Sequence, residues 1–219
     1  MYEITMQLPF NGYHVEGRLS LPVKAQSLII FSHGHGRSTL TPHEHRLALR
    51  FQEEGFATLT FDTFDLNNKI PTDSKALHIL SNGLIATTNW IHSHSEYKSL
   101  GLAYFGSGTG AAAAIKAAGE VGAVIRSIVS LSGRMDLVKP ELKNVTSPTL
   151  LIIGELDFQL VNVNKHALDK LNIAKQLAVV PGASHLFEEA DKLNEAAKIA
   201  VSWFKKYIPR NKEVAPKIS

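Results

Sequence analysis

Hydrophobic and polar residues alternate with a period of two over residues 1–22, on both sides of Asn11-Gly12. This dipeptide favours a tight turn with positive φ, so the segment is predicted to form an antiparallel β-hairpin. After Lys24 the pattern changes to short apolar runs separated by amphipathic segments. That alternation is typical of buried parallel strands joined by helices.

The apolar runs are predicted to be parallel strands, which with the hairpin makes eight strands. The runs cover residues 27–32, 57–61, 100–105, 125–131, 149–153 and 176–180. The amphipathic segments are predicted helices over residues 43–54, 74–94, 109–118, 161–171 and 188–207. The expected fold class is therefore α/β, with a mostly parallel sheet, an N-terminal antiparallel hairpin and helices on both faces. The connection 63–73 is too short to form a large lid.

Composition narrows the class of protein further. A chain of 219 residues that is 44% hydrophobic is expected to form one domain over residues 1–219, with a polar C-terminal tail from 209 to 219. The formal charge is +3 and the basic residues are scattered, so nucleic acid is not an expected partner. No apolar stretch suits a membrane helix and residues 1–10 lack a signal-peptide pattern, which predicts no membrane association and a cytoplasmic location. The absence of cysteine excludes disulfides and a thiolate nucleophile.

The run 100–105 leads into Gly106-Ser107-Gly108-Thr109-Gly110 and then into four alanines that open a helix. A strand, a sharp turn flanked by small residues and a helix are the parts of a nucleophile elbow. Gly106 and Gly110 occupy the flanking positions, so the nucleophile position is 108. Gly108 has no side chain and cannot attack a carbonyl.

Two residues with the chemistry of an acid and a base follow later strand ends. Asp157 comes after the run 149–153, and His185 comes after the run 176–180. The chain order elbow, Asp, His is that of the α/β-hydrolase triad, in which the acid orients the imidazole and the imidazole acts as base. The backbone N–H groups of His35 and Thr109 are predicted to form an oxyanion hole.

The chain resembles the dienelactone hydrolase-like branch of the α/β-hydrolase superfamily, which includes small hydrolases joined to phosphoribosyltransferase domains. The resemblance rests on residues 33–38, 105–106, 109–114, 132–137, 148–154 and 181–189. It implies an α/β-hydrolase fold and esterase or lactonase activity that needs no cofactor. Two of the three catalytic roles carry over, to Asp157 and His185, whereas the first fails at Gly108.

Ser107 is the alternative nucleophile. A frame shifted by one residue would place Phe105 and Thr109 at the flanking positions that must be small. Residues adjacent on a strand end also point to opposite faces, which argues against Ser107. Glycine accepts the positive φ of an elbow, so the turn is expected to survive at Gly108 without a serine.

Three interpretations of function remain open. In the first, the protein is an impaired or non-catalytic hydrolase homologue that binds a small acyl or lactone-like compound, anionic compounds included. In the second, it is an active carboxylic-ester hydrolase that uses Ser107 or a water molecule activated by His185 and Asp157. In the third, Gly108 is an engineered Ser-to-Gly substitution in an active hydrolase.

Arginines near the predicted site could bind an anionic ligand. Arg37 and Arg134 both follow strand ends that should line the same mouth, where guanidinium groups suit a carboxylate or phosphate. Structural ion pairing of these arginines with Asp62, Asp65 or Asp136 is favoured over ligand binding.

Two other motifs carry less weight. Gly106-x-Gly108-x-x-Ala111 matches the dinucleotide-binding fingerprint in form, but it does not lie in the first βαβ unit, where that fingerprint belongs. Histidines are paired at His33-x-His35, His43-x-His45 and His92-x-His94. Loop and exposed-helix positions explain these pairs, so no metal site is predicted.

Overall fold

The computed structural model describes residues 1–33, 40–61 and 73–208. Its strands are β1 Tyr2–Phe10, β2 Tyr13–Leu21, β3 Ser27–Ser32, β4 Ala57–Phe61, β5 Gly101–Ser107, β6 Ile125–Leu131, β7 Thr149–Gly154 and β8 Lys175–Val180. Its α-helices are α1 Pro42–Glu53, α2 Asp73–Ser93, α3 Gly108–Val121, α4 Phe158–Lys170 and α5 Lys192–Tyr207.

All eight strands belong to one sheet with the order β1-β2-β4-β3-β5-β6-β7-β8. The predicted hairpin is confirmed, since β1 pairs antiparallel with β2 around Asn11 and Gly12, whose φ angles are 48° and 83°. β2 pairs antiparallel with β4, and every other neighbouring pair is parallel. The carboxyl ends of the parallel strands therefore lie at one edge of the sheet, the carboxyl edge.

Helices cover both faces of the sheet. Adjacent residues of β5 show the division: Tyr104 packs in the core with α2 and α3, whereas Phe105 packs in the core with α1 and α5. The Phe105 ring lies 5.0 Å from the ring of Phe31 and 5.4 Å from that of Phe51, centroid to centroid. Two-sided burial explains why the central strands read as continuous apolar runs.

The final helix begins at Lys192, so the prediction that it begins at residue 188 is wrong. Phe187 and Asp191 have φ angles of 56° and 63°, which interrupt helical geometry. The carboxylate of Glu189 accepts a hydrogen bond from the backbone N–H of Ser184 at 3.0 Å, so it fastens the preceding loop. That loop carries His185.

Several predictions fall on residues outside the described ranges. They include the polar tail 209–219 and most of the connection 63–73, on which the expectation of a lid-free site depends. Within the described ranges, no helix is both long and apolar enough to cross a membrane.

Candidate active site

The elbow is a direct junction between β5 and α3, with Ser107 as the last strand residue and Gly108 as the first helical residue. Gly108 has a φ of 52°, in the left-handed region that glycine adopts most easily. Apart from its chain neighbours and the backbone of its own helix, a Cβ atom built at Gly108 would have no atom of the described ranges within 4 Å of it. The position thus combines the backbone of an elbow with space for a side chain that the sequence does not supply.

The flanking glycines are required by close backbone contacts. A Cβ at Gly106 would lie 2.6 Å from the Cα of Ala111, and a Cβ at Gly110 would lie 2.6 Å from the carbonyl carbon of Ser32. Neither position accepts a side chain, because the neighbouring atoms are backbone. The two positions that must be small are therefore 106 and 110, and the turn is centred on Gly108.

The hydroxyl of Ser107 has a partner away from the histidine. Its Oγ donates a hydrogen bond to Oε1 of Glu44, a buried residue in the first turn of α1. The other carboxylate oxygen of Glu44 accepts from the backbone N–H and the hydroxyl of Thr41, both at 2.9 Å. Sequence reasoning did not identify Glu44; the Thr41-x-x-Glu44 spacing signals a helix cap, but no local pattern signals the contact with Ser107.

Asp157 and His185 come together as the sequence predicts. The Nδ1 of His185 lies 2.7 Å from Oδ2 of Asp157. Because a carboxylate only accepts, Nδ1 carries the proton and Nε2 presents its lone pair. Oδ1 of Asp157 accepts from the backbone N–H of Leu160 at 3.1 Å, so the same carboxylate caps α4. The Asp157 side chain is 16% exposed and that of His185 is 50% exposed, so solvent and ligands can reach the imidazole.

Backbone contacts hold the loop between β8 and α5, which carries His185 and is called the histidine loop, against the end of β7. A Cβ at Gly154 would lie 2.5 Å from the carbonyl oxygen of Ala183, so only glycine permits this approach. The backbone N–H of Gly182 donates to the Glu155 carboxylate at 2.8 Å. The backbone N–H of Ser184 donates to Glu189 and lowers the pKa of that carboxyl below its ordinary value.

The segment 132–134 joins the elbow to the histidine loop. The Ser132 hydroxyl donates to the carbonyl oxygen of His185 at 2.8 Å, and the backbone N–H of Arg134 donates to the carbonyl oxygen of Gly108 at 3.1 Å. Ser132 has a φ of 47°, which turns the chain sharply after β6. Sequence reasoning gave Ser132 no role, although its position just past a strand end is a signal that could have found it.

The guanidinium group of Arg134 is paired with two carboxylates. It lies 2.8 Å from Asp136 and 3.2 Å from Asp73. The hydrogen bond from Arg134 lowers the pKa of Asp136 and raises the pKa of the arginine. Of the two expectations for Arg134, pairing with Asp136 is the one that the geometry favours. Arg37, Asp62 and Asp65 lie outside the described residues.

One of the two residues predicted to form the oxyanion hole, Thr109, lies within the described ranges. Thr109 is the second residue of α3 and is buried, whereas His35 lies outside the described residues.

The Nε2 of His33 lies 3.0 Å from the carbonyl oxygen of Phe61. Over residues 1–33, 40–61 and 73–208, no group of three or more His, Asp or Glu side chains is arranged to hold a metal ion.

Comparisons with known proteins agree with this architecture. The chain is 32% identical to a dienelactone hydrolase from Anabaena variabilis, with a TM-score of 0.90 over 95% of this chain and 99% of that one. A serine hydrolase without a lid from Xanthomonas campestris matches at 18% identity and a TM-score of 0.71, over 95% of this chain and 96% of that one. The second likeness shows the fold alone. No family model matches the chain.

Two Mycobacterium tuberculosis proteins provisionally named phosphoribosyl transferases are each 38% identical over 194 residues, which is 87% of this chain. The chain spans 43% of the length of these curated relatives. Their match agrees with the resemblance to hydrolases joined to phosphoribosyltransferase domains. Given its 32% identity to a dienelactone hydrolase that it covers almost completely, the chain belongs to the dienelactone hydrolase-like branch of the α/β-hydrolase superfamily.

Proposed function

We propose that this protein is a hydrolase homologue whose ester-cleaving step is impaired by Gly108, and that its site binds a small acyl or lactone-like ligand. The observation that carries the proposal is the combination of a formed acid–base pair with an empty nucleophile position. The Nδ1 of His185 lies 2.7 Å from Oδ2 of Asp157, while a Cβ at Gly108 would meet no described residue within 4 Å outside its own helix and chain neighbours.

The elbow retains the features that a nucleophile would need. Gly106 and Gly110 permit the close strand and helix packing, and Arg134 anchors the carbonyl of Gly108. In subtilisin, loss of the serine lowers kcat about 10⁶-fold, which is about 8 kcal/mol of barrier. A comparable loss leaves this protein able to bind esters and lactones while turning them over extremely slowly.

The decisive experiment restores the missing hydroxyl. The Gly108→Ser variant is assayed with p-nitrophenyl esters beside the unchanged protein. We expect a gain in kcat/KM of about 10³-fold or more, because the acid, the base and the turn are already in place. Gly108→Ala is the matched control, since it introduces the same backbone strain without a hydroxyl group.

The result that would contradict the proposal is rapid ester turnover by the unchanged protein. A Gly108→Ser variant that folds normally and stays inactive toward every ester would also contradict it, because the remaining machinery would then not be competent.

A second candidate function is direct hydrolysis by a water molecule. The open space at Gly108 favours this route, since a water there could be activated by Nε2 of His185 while Asp157 orients the imidazole. Attack by Ser107 is less favoured because its hydroxyl already donates to Glu44.

These routes separate by substitution and by labelling. His185→Ala abolishes the water route, and Ser107→Ala leaves it intact. A covalent fluorophosphonate adduct on the unchanged protein would contradict direct water attack and would identify the serine that reacts.

A further inference from the structure

Three large apolar residues adjacent in sequence to Asp157 or His185 are exposed. Leu156 and Phe158 flank Asp157 in the sequence and are 51% and 69% exposed, and Leu186 follows His185 and is 54% exposed. We call Leu156, Phe158 and Leu186 the apolar rim. Each residue of the apolar rim is therefore adjacent in sequence to one member of the hydrogen-bonded Asp157–His185 pair.

The apolar rim occupies the carboxyl edge of the sheet. Leu156 and Phe158 lie between the end of β7 and the first residue of α4, and Leu186 lies in the loop after β8. The backbone N–H of Leu156 donates to the carbonyl of Ala183 at 2.9 Å, which joins the two loops directly. Single exposed apolar residues are common on protein surfaces, but three of them on the two loops that carry a reactive pair indicate a binding surface.

The two loops that carry the pair are acidic. Residues 154–158 and 181–191 contain no Lys or Arg, and they contain five acidic residues: Glu155, Asp157, Glu188, Glu189 and Asp191. Of the described basic residues nearby, Lys192 directly follows the second loop and its ammonium group lies 3.2 Å from Glu195, and Arg134 is paired with Asp136 and Asp73. A ligand carboxylate placed here would face like charge.

We propose that the apolar rim binds the alkyl or aryl group of an uncharged ester or lactone, and that it determines which ligands this site accepts. The proposal rests on the proposed function, which places the reacting group of the ligand at the Asp157–His185 pair. Binding covers apolar surface that is otherwise in contact with water, which favours ligands with long apolar groups. The acidic loops disfavour anionic ligands. The sequence, in contrast, led us to include anionic compounds among the expected ligands.

The first test uses the unchanged protein and measures binding by calorimetry. δ-Decalactone is expected to bind about tenfold or more tightly than δ-valerolactone, because its pentyl group covers the rim. Decanoate is expected to bind at least about tenfold more weakly than δ-decalactone, because of its charge. Replacing all three rim residues by alanine should remove the advantage of δ-decalactone and leave δ-valerolactone binding unchanged.

Matched controls are available elsewhere on the surface. Val23 and Leu49 are exposed apolar residues at 67% and 41%, and neither lies in the loops beside the pair. Val23→Ala and Leu49→Ala should leave lactone binding unchanged. Thermal melting of the rim variant checks that its fold is retained, which exposure of the three side chains leads us to expect.

The second test uses Gly108→Ser and compares p-nitrophenyl hexanoate with p-nitrophenyl acetate. We expect kcat/KM to be about tenfold or more higher for hexanoate, and the rim substitutions to abolish this preference. Restored activity without a chain-length preference would overturn this inference and leave the proposed function standing. Inactivity toward both esters, with no lactone binding, would overturn both.

Sedimentation velocity tests the other possible occupant, a second copy of the chain. The inference expects Phe158→Asp to leave the molecular mass unchanged. A dimer that dissociates in Phe158→Asp would show that the rim is covered by protein and would overturn the inference.

Discussion

The elbow offers a prediction that distinguishes the frame centred on Gly108 from a frame centred on Ser107. Replacing Gly110 by alanine places a Cβ 2.6 Å from the carbonyl carbon of Ser32 and 2.7 Å from that of His33. Among the described residues, replacing Gly108 by alanine creates no contact within 4 Å outside its own helix and chain neighbours, which leaves the strain of a positive φ of 52°. Both substitutions add one methyl group to the same turn. The methyl group at position 110 meets backbone atoms of β3 and its end, whereas the one at position 108 does not.

The magnitudes follow from these contacts. Carbon atoms in ordinary contact lie about 3.5 Å apart or more, so the ends of β3 and α3 must separate by about 0.9 Å in Gly110→Ala. Because both neighbours are backbone, the cost is about 3 kcal/mol or more. A non-glycine residue in the left-handed region costs about 1–2 kcal/mol, which is the whole expected effect of Gly108→Ala.

Urea denaturation followed by circular dichroism measures both free energies of unfolding, and thermal melting provides a second measurement. At about 2–4 °C per kcal/mol for a domain of this size, Gly110→Ala should lower Tm by about 6 °C or more. Equal or reversed losses in the two variants would refute the frame and the assignment of Gly108 to the nucleophile position.

The remaining predictions concern the acid and the buried polar contacts. In the Gly108→Ser background, Asp157→Asn should lower kcat about 10⁴-fold in an ester assay yet leave stability within about 0.5 kcal/mol, because asparagine also caps a helix; a loss under tenfold would count against the triad. Arg134 lowers the pKa of Asp136, so the stabilisation is present at neutral pH and is lost as pH falls below the ordinary value of 3.8. Denaturation at pH 7 and pH 2 should show Asp136→Asn losing about 0.5 kcal/mol at pH 7, since solvent screens the pair, and a smaller amount at pH 2. Tyr104→Phe should lower the free energy of unfolding by about 1–3 kcal/mol in the same assay, because the buried Thr88 hydroxyl loses its hydrogen-bond partner. In the unchanged protein the Tyr104 hydroxyl lies 2.6 Å from that of Thr88.

Local patterns were enough to predict the strands and the order of the functional residues. The strands over 27–32, 57–61 and 125–131 have the bounds that their apolar runs indicate. A strand buried on both faces needs a continuous apolar run, and a helix that covers it needs an apolar stripe, so both elements leave a local signal. The boundary of α5 was predicted wrongly, because positive φ at Phe187 and Asp191 has no comparable signal in a sequence.

The sequence by itself determined the class of fold, the glycine at position 108 and the placement of Asp157 and His185 after successive strands. These follow from periodicity and from residue identity, which are local properties of the chain. Only the tertiary structure decided that Ser107 donates to Glu44, that Arg134 pairs with Asp73 and Asp136, and that the apolar neighbours of Asp157 and His185 in the sequence stay exposed. Those contacts join residues that are distant in the chain or depend on how much surface stays exposed, and both properties arise only when the sheet and its helices assemble.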